Sequence, residues 1–511
     1  MAPSHRQGRD RLSALPDKAL EHILSHLMSD EAARSSVLSR RWRRVHEAVP
    51  VVRLVDGKSG DRYDRRGLNV CFDHQVSSTI IGKAAATPIR TFSVAALHPP
   101  YDLLDQWIVT AVTSGVEDLD VKLRYYDDSM KTLCPSIRCP YTGRKNSANF
   151  EKHEMNRFTR TQPHIFGCRT LRRLRLANWT LDLPGNVAME SLETLCLARI
   201  MDPHGEFQQL ISSCNCLANL TLEECPSITE IAITNTRLQS FTMICCHNAT
   251  SVELHSTCVQ SLHYKGGLPP RGSPFFALAN YEGVEAVSIE ICEKLSTKEP
   301  KDVAPVAELI SQCTKLAYLH LSLRPSMAYY SSIFTSVLRK LDRLTHLSLQ
   351  GCLPTDHAIR SVSALLVNTK RLETLSLFPL RPEPPKKKIT RYRTHYDTES
   401  DSSDTEPEQD STIIIPDDDD DDAVVESSSR MPKGLWRTYV GCLEYKLTRI
   451  NIGNYQGRPL DKMLARFLLS RAAALDEISV TLAAGGQHKD GEVAKELRSW
   501  RWNRRTRVTC N

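Results

Sequence analysis

A six-residue pattern, LxxLxL, recurs along most of this chain and restricts its fold more than any other feature. Clear copies are IRTFSV (89–94), VEDLDV (116–121), LRRLRL (171–176), LETLCL (192–197), LANLTL (217–222) and LQSFTM (238–243). The series continues with VEAVSI (284–289), LAYLHL (316–321), LTHLSL (344–349), LETLSL (372–377), LTRINI (447–452) and LDEISV (475–480), and VQSLHY (259–264) is a weaker copy. Successive starts mostly lie 21 to 32 residues apart, and those at 316, 344 and 372 keep a spacing of 28. Alternate side chains of a short strand point to one side. A unit of this length cannot bury that side alone. Neighbouring units therefore stack their strands into one parallel sheet, and a returning segment closes the other side. Two returning segments, 355–366 (TDHAIRSVSALL) and 303–311, read as helices.

The period is that of leucine-rich repeats, and it assigns residues 66–482 to a solenoid of the α/β class: a parallel sheet with outer helices and irregular segments. Two stretches break the register. Residues 127–157 are polar, poor in aliphatics, and read as a loop. Between Leu372 and Leu447 lie 75 residues, and removing about 47 restores the spacing of 28. Residues 381–432 are thus an insertion within a continuous array. Their Pro, Ser and Asp content with few aromatics predicts disorder.

Ahead of the array, Asp10–Pro50 holds three short amphipathic helices. Pro16 suits a helix start, Asp17 suits the dipole of its first turn, and Leu20, Ile23, Leu24 and Leu27 make one apolar stripe. Ser29 and Asp30 read as caps for a second turn through Ala32, Ala33, Val37 and Leu38. Ser39 caps a third helix with Trp42 and Val45 on one side and Arg40, Arg41, Arg43 and Arg44 on the other; Pro50 ends it. About forty residues bury a weak core. Such a unit either packs on its own chain or completes its core on a partner.

The sequence LPD-x-x-L-x-x-IL-S-x-L, then SVLS-R-RW-R, resembles the F-box of plant F-box/leucine-rich-repeat (FBD-like) proteins over residues 9–50, after a flexible 1–8. The resemblance extends through CFDHQVSS, the IRTFSV strand, DLLDQWIVTAVTSGVEDLDV and IFGCRTLRRLRLANWTLDLP. It implies a helix carrying Leu103, Trp107, Ile108 and Val112. It also implies docking to a Skp-type adaptor and, through it, a cullin, with the repeats binding an unidentified protein target for ubiquitination. The adaptor-facing set carried over is Leu15, Pro16, Leu20, Ile23, Leu24, Leu27, Val37, Leu38 and Trp42. Two departures stand out: Met28 replaces the family's proline, so the first helix is expected to run slightly long, and His46 stands where an aromatic or leucine is common. LANLTLEEC and LTHLSLQGC place Cys225 and Cys352 at the ninth repeat position, where the family uses cysteine as a buried plug.

Nothing in the sequence points to catalysis. No GxGxxG, GxxxxGK[ST], GxSxG or HExxH pattern is present, and 22 glycines leave little for phosphate-cradling loops. The 16 cysteines read as reduced and intracellular. Cys134/Cys139 and Cys214/Cys216 lack second halves, so neither a metal site nor any other cofactor is expected. The N-terminus lacks a secretory apolar run and no segment reaches membrane-span length, so no membrane association is expected. The localisation expected is nucleus or cytoplasm.

The net charge of +6 hides a split. Residues 397–426 carry 14 acidic groups and no Lys or Arg, leaving +20 on the rest. Thr398, Ser403 and Thr405 each precede an acid by three residues, which suits an acidophilic kinase. Ile413, Ile414 and Ile415 beside six Asp resemble a SUMO-interacting strand, with a solvated spacer as the bland reading. Lys386, Lys387 and Lys388 with Arg391 and Arg393 read as an import signal or as local neutralisation. Residues 483–511 mix Trp500 and Trp502 with five arginines. They read as a solenoid cap; nucleic-acid binding, not expected here, is the rival function class, beside a ligase-independent scaffold. Exposed repeat positions such as Arg172, Arg173, Arg175, Thr221 and His320 are candidates for target contact.

Overall fold

The computed structural model describes residues 12, 14–56, 72–125, 158–268, 275–292, 303–323, 331–352, 356–380, 439–483 and 490–510. Three helices open the chain: α1 (Asp17–Ser25), α2 (Ser29–Ser35) and α3 (Arg40–Ala48). The Ser39 hydroxyl accepts from the Trp42 N–H at 3.3 Å, the cap read from the sequence. Helix α1 does not run long. His26 and Leu27 close its last turn on the carbonyls of Ile23 and Leu24, and Met28 is extended at φ −67°, ψ 150°. That φ is the value a proline imposes, so the exchange of Pro for Met leaves the stop in place. Ser29 is the first helical residue and not a cap. Its hydroxyl is turned to the next element, where it accepts from the Arg53 N–H at 2.8 Å.

Fifteen parallel strands follow in one sheet. They begin with β1 (Val51–Val55), β2 (Thr91–Leu97), β3 (Asp118–Arg124), β4 (Arg173–Thr180), β5 (Thr194–Met201) and β6 (Asn219–Glu223). The line continues through β8 (Ser240–Ile244), β10 (Ser261–Gly266), β12 (Ala286–Ile291), β13 (Tyr318–Ser322), β14 (His346–Cys352) and β15 (Thr374–Leu380). It ends with β16 (Arg449–Tyr455), β17 (Glu477–Leu482) and β18 (Arg507–Cys510). The sheet thus reaches past both ends of the expected 66–482. The strand VVRLV lacks the LxxLxL spacing, and the last strand keeps only Val508 and Cys510 as inward positions, so neither shows in the pattern.

The register explains why the repeat reads so clearly. Leu319, Leu347 and Leu375 stand opposite one another, as do Leu321, Leu349 and Leu377. All six are buried, so the fourth and sixth positions of each of these copies form continuous columns. The returning side varies with repeat length. Longer repeats return through helices, including Tyr101–Thr113, Ala304–Gln312, Asp356–Val367 and Pro459–Leu469. Within the first of these, Leu104, Trp107 and Ile108 are fully buried. The repeats of 21 and 25 residues between β6 and β12 have no room for a full helix and return through short strands, β7 (Glu230–Ile233), β9 (Ser251–Leu254) and β11 (Phe276–Leu278), which pair into a second sheet.

A left-handed residue recurs two positions after the pattern ends. Asn178, Arg199, Glu224, Cys245 and Asn454 have φ between 51° and 66°. Such a conformation costs a non-glycine residue about 1–2 kcal/mol; it directly follows β6 and β8 and kinks the chain within β4, β5 and β16, where pairing of β4 with β5 resumes at Trp179 and Thr180. The ninth position then points inward: Trp179, Ile200, Cys225, Cys246 and Tyr455 are all buried. The Cys225 thiol donates to the Leu197 carbonyl at 3.5 Å, the behaviour of a plug at a turn. Cys352 ends β14.

Residues 127–157 and 381–432, with Thr398, Ser403, Thr405, Ile413, Ile414, Ile415 and the 386–393 basic cluster, lie outside the described residues. On either side of the second stretch, β15 and β16 pair directly, Thr374 opposite Arg449 and Leu377 opposite Ile452. The C-terminal segment is a further helix and strand. Val493, Ala494 and Leu497 of helix Asp490–Trp500 are buried, Trp500 packs on the core, and Trp502 is 71% exposed. Only one of its two tryptophans covers the end of the array. No helix among the described residues is long and apolar enough to cross a membrane.

Candidate docking surfaces

The three N-terminal helices close a small core of their own. Leu20, Leu24, Ala32, Trp42, Val45 and Val49 are buried together, with Leu15 and Val51 packed against them. The Arg41 guanidinium ties α3 to the start of α1, donating from Nε to Asp17 Oδ1 at 2.7 Å and from Nη2 to the Leu15 carbonyl. Of the nine residues expected to face a partner, Leu20, Leu24 and Trp42 are at most 7% exposed. Their side chains hold the helices together and are not free to meet another chain. The exposed remainder is Ile23, Leu27, Val37 and Leu38, with Pro16 also at the surface. Ile23 lies on α1 and Leu27 two residues past its end, in the turn that closes it, while Val37 and Leu38 link α2 to α3. Val37 is 84% exposed and Leu38 68%, a high exposure for adjacent aliphatic residues.

This module is fastened to the array at its other side. The buried Lys83, on helix Phe72–Ala86, donates its ammonium to the carbonyls of His46 and Val49 at the end of α3. The Thr87 hydroxyl donates to the Glu47 carbonyl at 3.2 Å. The last carbonyls of a helix have no partner within it, and here the first returning segment of the solenoid supplies them. Burial lowers the Lys83 pKa to about 8, against a smaller opposing effect of Glu47. Arg53 adds a second tie, with Nη1 donating to the Ser25 carbonyl at 3.2 Å. Nothing in the local pattern marked Lys83; a buried lysine is visible only once two elements distant in sequence are placed together.

The outward column between the two apolar columns is the second candidate surface. It begins with Arg53 and Ser93, after which Asp120 stands opposite Arg175, followed by Cys196 and Thr221. Burial raises the Asp120 pKa, with Arg175 opposing. The same column later runs His263, Ser288, His320 and Ser348. His320 Nδ1 and Ser348 Oγ are 2.7 Å apart. Glu290 is held at a pKa of about 2, first by His263, whose Nε2 is 3.7 Å away, then by Lys265 at 3.2 Å. Burial lowers the His320 pKa against the pull of Glu290. Ser348 is only 6% exposed and held by His320, so it is not an open nucleophile.

The other expected contact residues fall in different places. Thr221 and His320 lie in this column, half-buried. Arg173 pairs with Asp118 at 3.0 Å and Arg172 with Glu193 at 2.8 Å, both largely exposed, where an ion pair contributes little and leaves the guanidinium available. Cys214 is buried, its pKa pushed up to about 12 by desolvation, and Cys216 accepts from Arg237 Nη1 at 3.6 Å. Those two cysteines therefore do not form a ligand pair. Cys134 and Cys139 lie outside the described residues.

The architecture is a compact three-helix module fused to a parallel leucine-rich-repeat solenoid. Residues 12–45 match the F-box domain, and residues 147–274 match the leucine-rich repeats of FBD-associated F-box protein At5g56370. The chain is similar to the F-box/LRR-repeat protein At2g42720 of Arabidopsis thaliana, 26% identical over 72% of this chain and 77% of that one. It is also similar to the F-box/FBD/LRR-repeat protein At2g04230, 26% identical over 66% and 69% of the two chains, and to the putative F-box/FBD/LRR-repeat protein At5g44950, 30% identical over 42% of each, both from the same plant. The chain thus carries an F-box domain and FBD-associated leucine-rich repeats, and it is similar to F-box/LRR-repeat proteins of Arabidopsis.

Proposed function

We propose that this chain is the substrate-recognition subunit of a Skp–cullin–F-box ubiquitin ligase, working in the nucleus or cytoplasm. The observation that carries the proposal is the exposure of Ile23, Leu27, Val37 and Leu38 on a module whose core is otherwise closed. Apolar residues concentrated on one small unit are placed for a partner, and an F-box gives that partner its class: a Skp-type adaptor, and a cullin beyond it. The chain itself contributes no bond-making group. Its mechanism is proximity: a target held on the outward face of the sheet is kept at high effective concentration beside the ubiquitin-loaded enzyme.

Fastening by Lys83, Thr87 and Arg53 supports this reading, because a tether directs its cargo only if the two ends are held in a fixed relation. The target is a protein that matches an outward column of Ser, Thr, His and paired charges. Proximity labelling in plant cells, with residues 12–48 deleted so that targets are held without being degraded, tests the second half. Enrichment of the same proteins by the full chain and by a variant with Arg175 and His320 replaced would contradict target binding through this face. A ligase-independent scaffold is the alternative, and it predicts that no adaptor co-purifies with the full chain.

A further inference from the structure

We propose that Cys245, His247 and Cys292 form a binding site for one thiophilic divalent cation of the zinc type. Cys245 follows β8 and Cys292 follows β12, with β10 between them. Adjacent carbonyls of β10 hold both residues: the Cys245 N–H donates to Lys265 at 2.5 Å and the Cys292 N–H to Gly266 at 2.8 Å. The two cysteines pack with Ile244 in a small cluster apart from the main core. Cys292 occupies the ninth repeat position, where other repeats place an inward plug. Here the strand continues to Ile291, and the thiol is paired with Cys245 instead.

The spacing of the three donors suits a cation. The sulfurs are 3.9 Å apart. A disulfide needs about 2.05 Å. Two sulfurs each about 2.3 Å from a tetrahedral zinc stand about 3.8 Å apart. All three ligand atoms lie within 4.8 Å of one another. His247 Nε2 is buried and makes no hydrogen bond. A buried nitrogen of that kind is costly, and a metal bond would satisfy it. Two thiolates and one imidazole select a soft or borderline cation over magnesium or calcium. Three protein ligands leave one tetrahedral corner for water. The cation would clamp β8 to β12 across β10, a role independent of adaptor docking.

The test uses the full-length chain, purified under reducing conditions without chelator, loaded with zinc alone and dialysed. Elemental analysis is expected to give about one zinc per chain, falling to near zero in Cys292→Ser and in His247→Ala. Cobalt substitution is expected to give a thiolate-to-cobalt charge-transfer band that both variants lose. His247 is only half-buried, so His247→Ala keeps the test valid if Cys292→Ser fails to fold. Three results would each overturn the site: no retained zinc in the unmodified chain, equal zinc in the unmodified chain and both folded variants, or a metal-free protein whose peptides show Cys245 and Cys292 joined as a disulfide.

Discussion

The ammonium of Lys83 stands 3.2 Å from the carbonyl of Val49 and also reaches that of His46, so the first helix of the solenoid caps the last helix of the F-box. Replacing Lys83 by Met leaves two carbonyls without this donor. The expected cost is about 1–3 kcal/mol, felt at the junction. Hydrogen exchange should quicken across residues 43–49 while the strands from β4 onward keep their protection.

The same lysine predicts a pH dependence. Its pKa is about 8 in the folded chain and 10.5 in the unfolded one, so between those values the unfolded chain binds more protons. Stability contributed by this group therefore rises with pH from about 8 to about 10.5, and is flat below. Urea unfolding of the natural chain and of Lys83→Met across this window should differ by that slope. Parallel pH profiles would contradict it.

Glu290 gives the opposite window. Its folded pKa of about 2, set first by His263 and then by Lys265, lies below the ordinary 4.5. The stability it contributes is complete above about pH 4.5 and is lost as pH falls toward 2. Glu290→Gln should flatten acid denaturation in that range, measured by circular dichroism.

Met28 sits at a proline-like φ of −67°, and its N–H donates to Glu31 at 3.3 Å. Met28→Pro loses that weak bond and stiffens the unfolded chain. The two effects oppose one another, so the change in stability should stay within about 1 kcal/mol. A loss several times larger would show that the backbone here is not proline-compatible.

Strands β15 and β16 pair in register across the long insertion. Excising residues 385–432 should therefore leave the thermal midpoint and the circular dichroism of the array almost unchanged, since shortening a long loop alters closure entropy only slightly.

The repeats were legible because each LxxLxL copy lands on the same two columns; Leu347 and Leu375 face one another as their spacing requires. The helices at 303–311 and 355–366 were legible for the same reason, within a residue of their observed bounds. The flanking strands β1 and β18 were not, because VVRLV and RVTC carry alternation without the repeat signature. In the F-box, the apolar positions were found but not sorted. Leu24 and Ile23 are consecutive and equally apolar, yet one is 2% exposed and the other 39%. Helix periodicity gives a stripe wide enough for both, and only the placement of α3 decides which edge is covered. Lys83, His247 and the Cys245–Cys292 pair were missed because each joins segments tens of residues apart. Counting ninth-position cysteines would have drawn attention to Cys292 beside Cys225.

That sorting changes how the docking claim is tested. Charged substitutions at Leu24 or Trp42 would unfold the module and report on its core. Val37→Asp with Leu38→Asp alters only exposed side chains. The most direct measurement is the affinity of a plant Skp-type adaptor for the full-length chain and for this double variant, with circular dichroism confirming that both are folded. The unmodified chain should bind, and the variant should lose at least about 2 kcal/mol, roughly thirtyfold. Equal affinity, or no binding by the unmodified chain, would contradict the assignment of this protein as an adaptor-docked receptor.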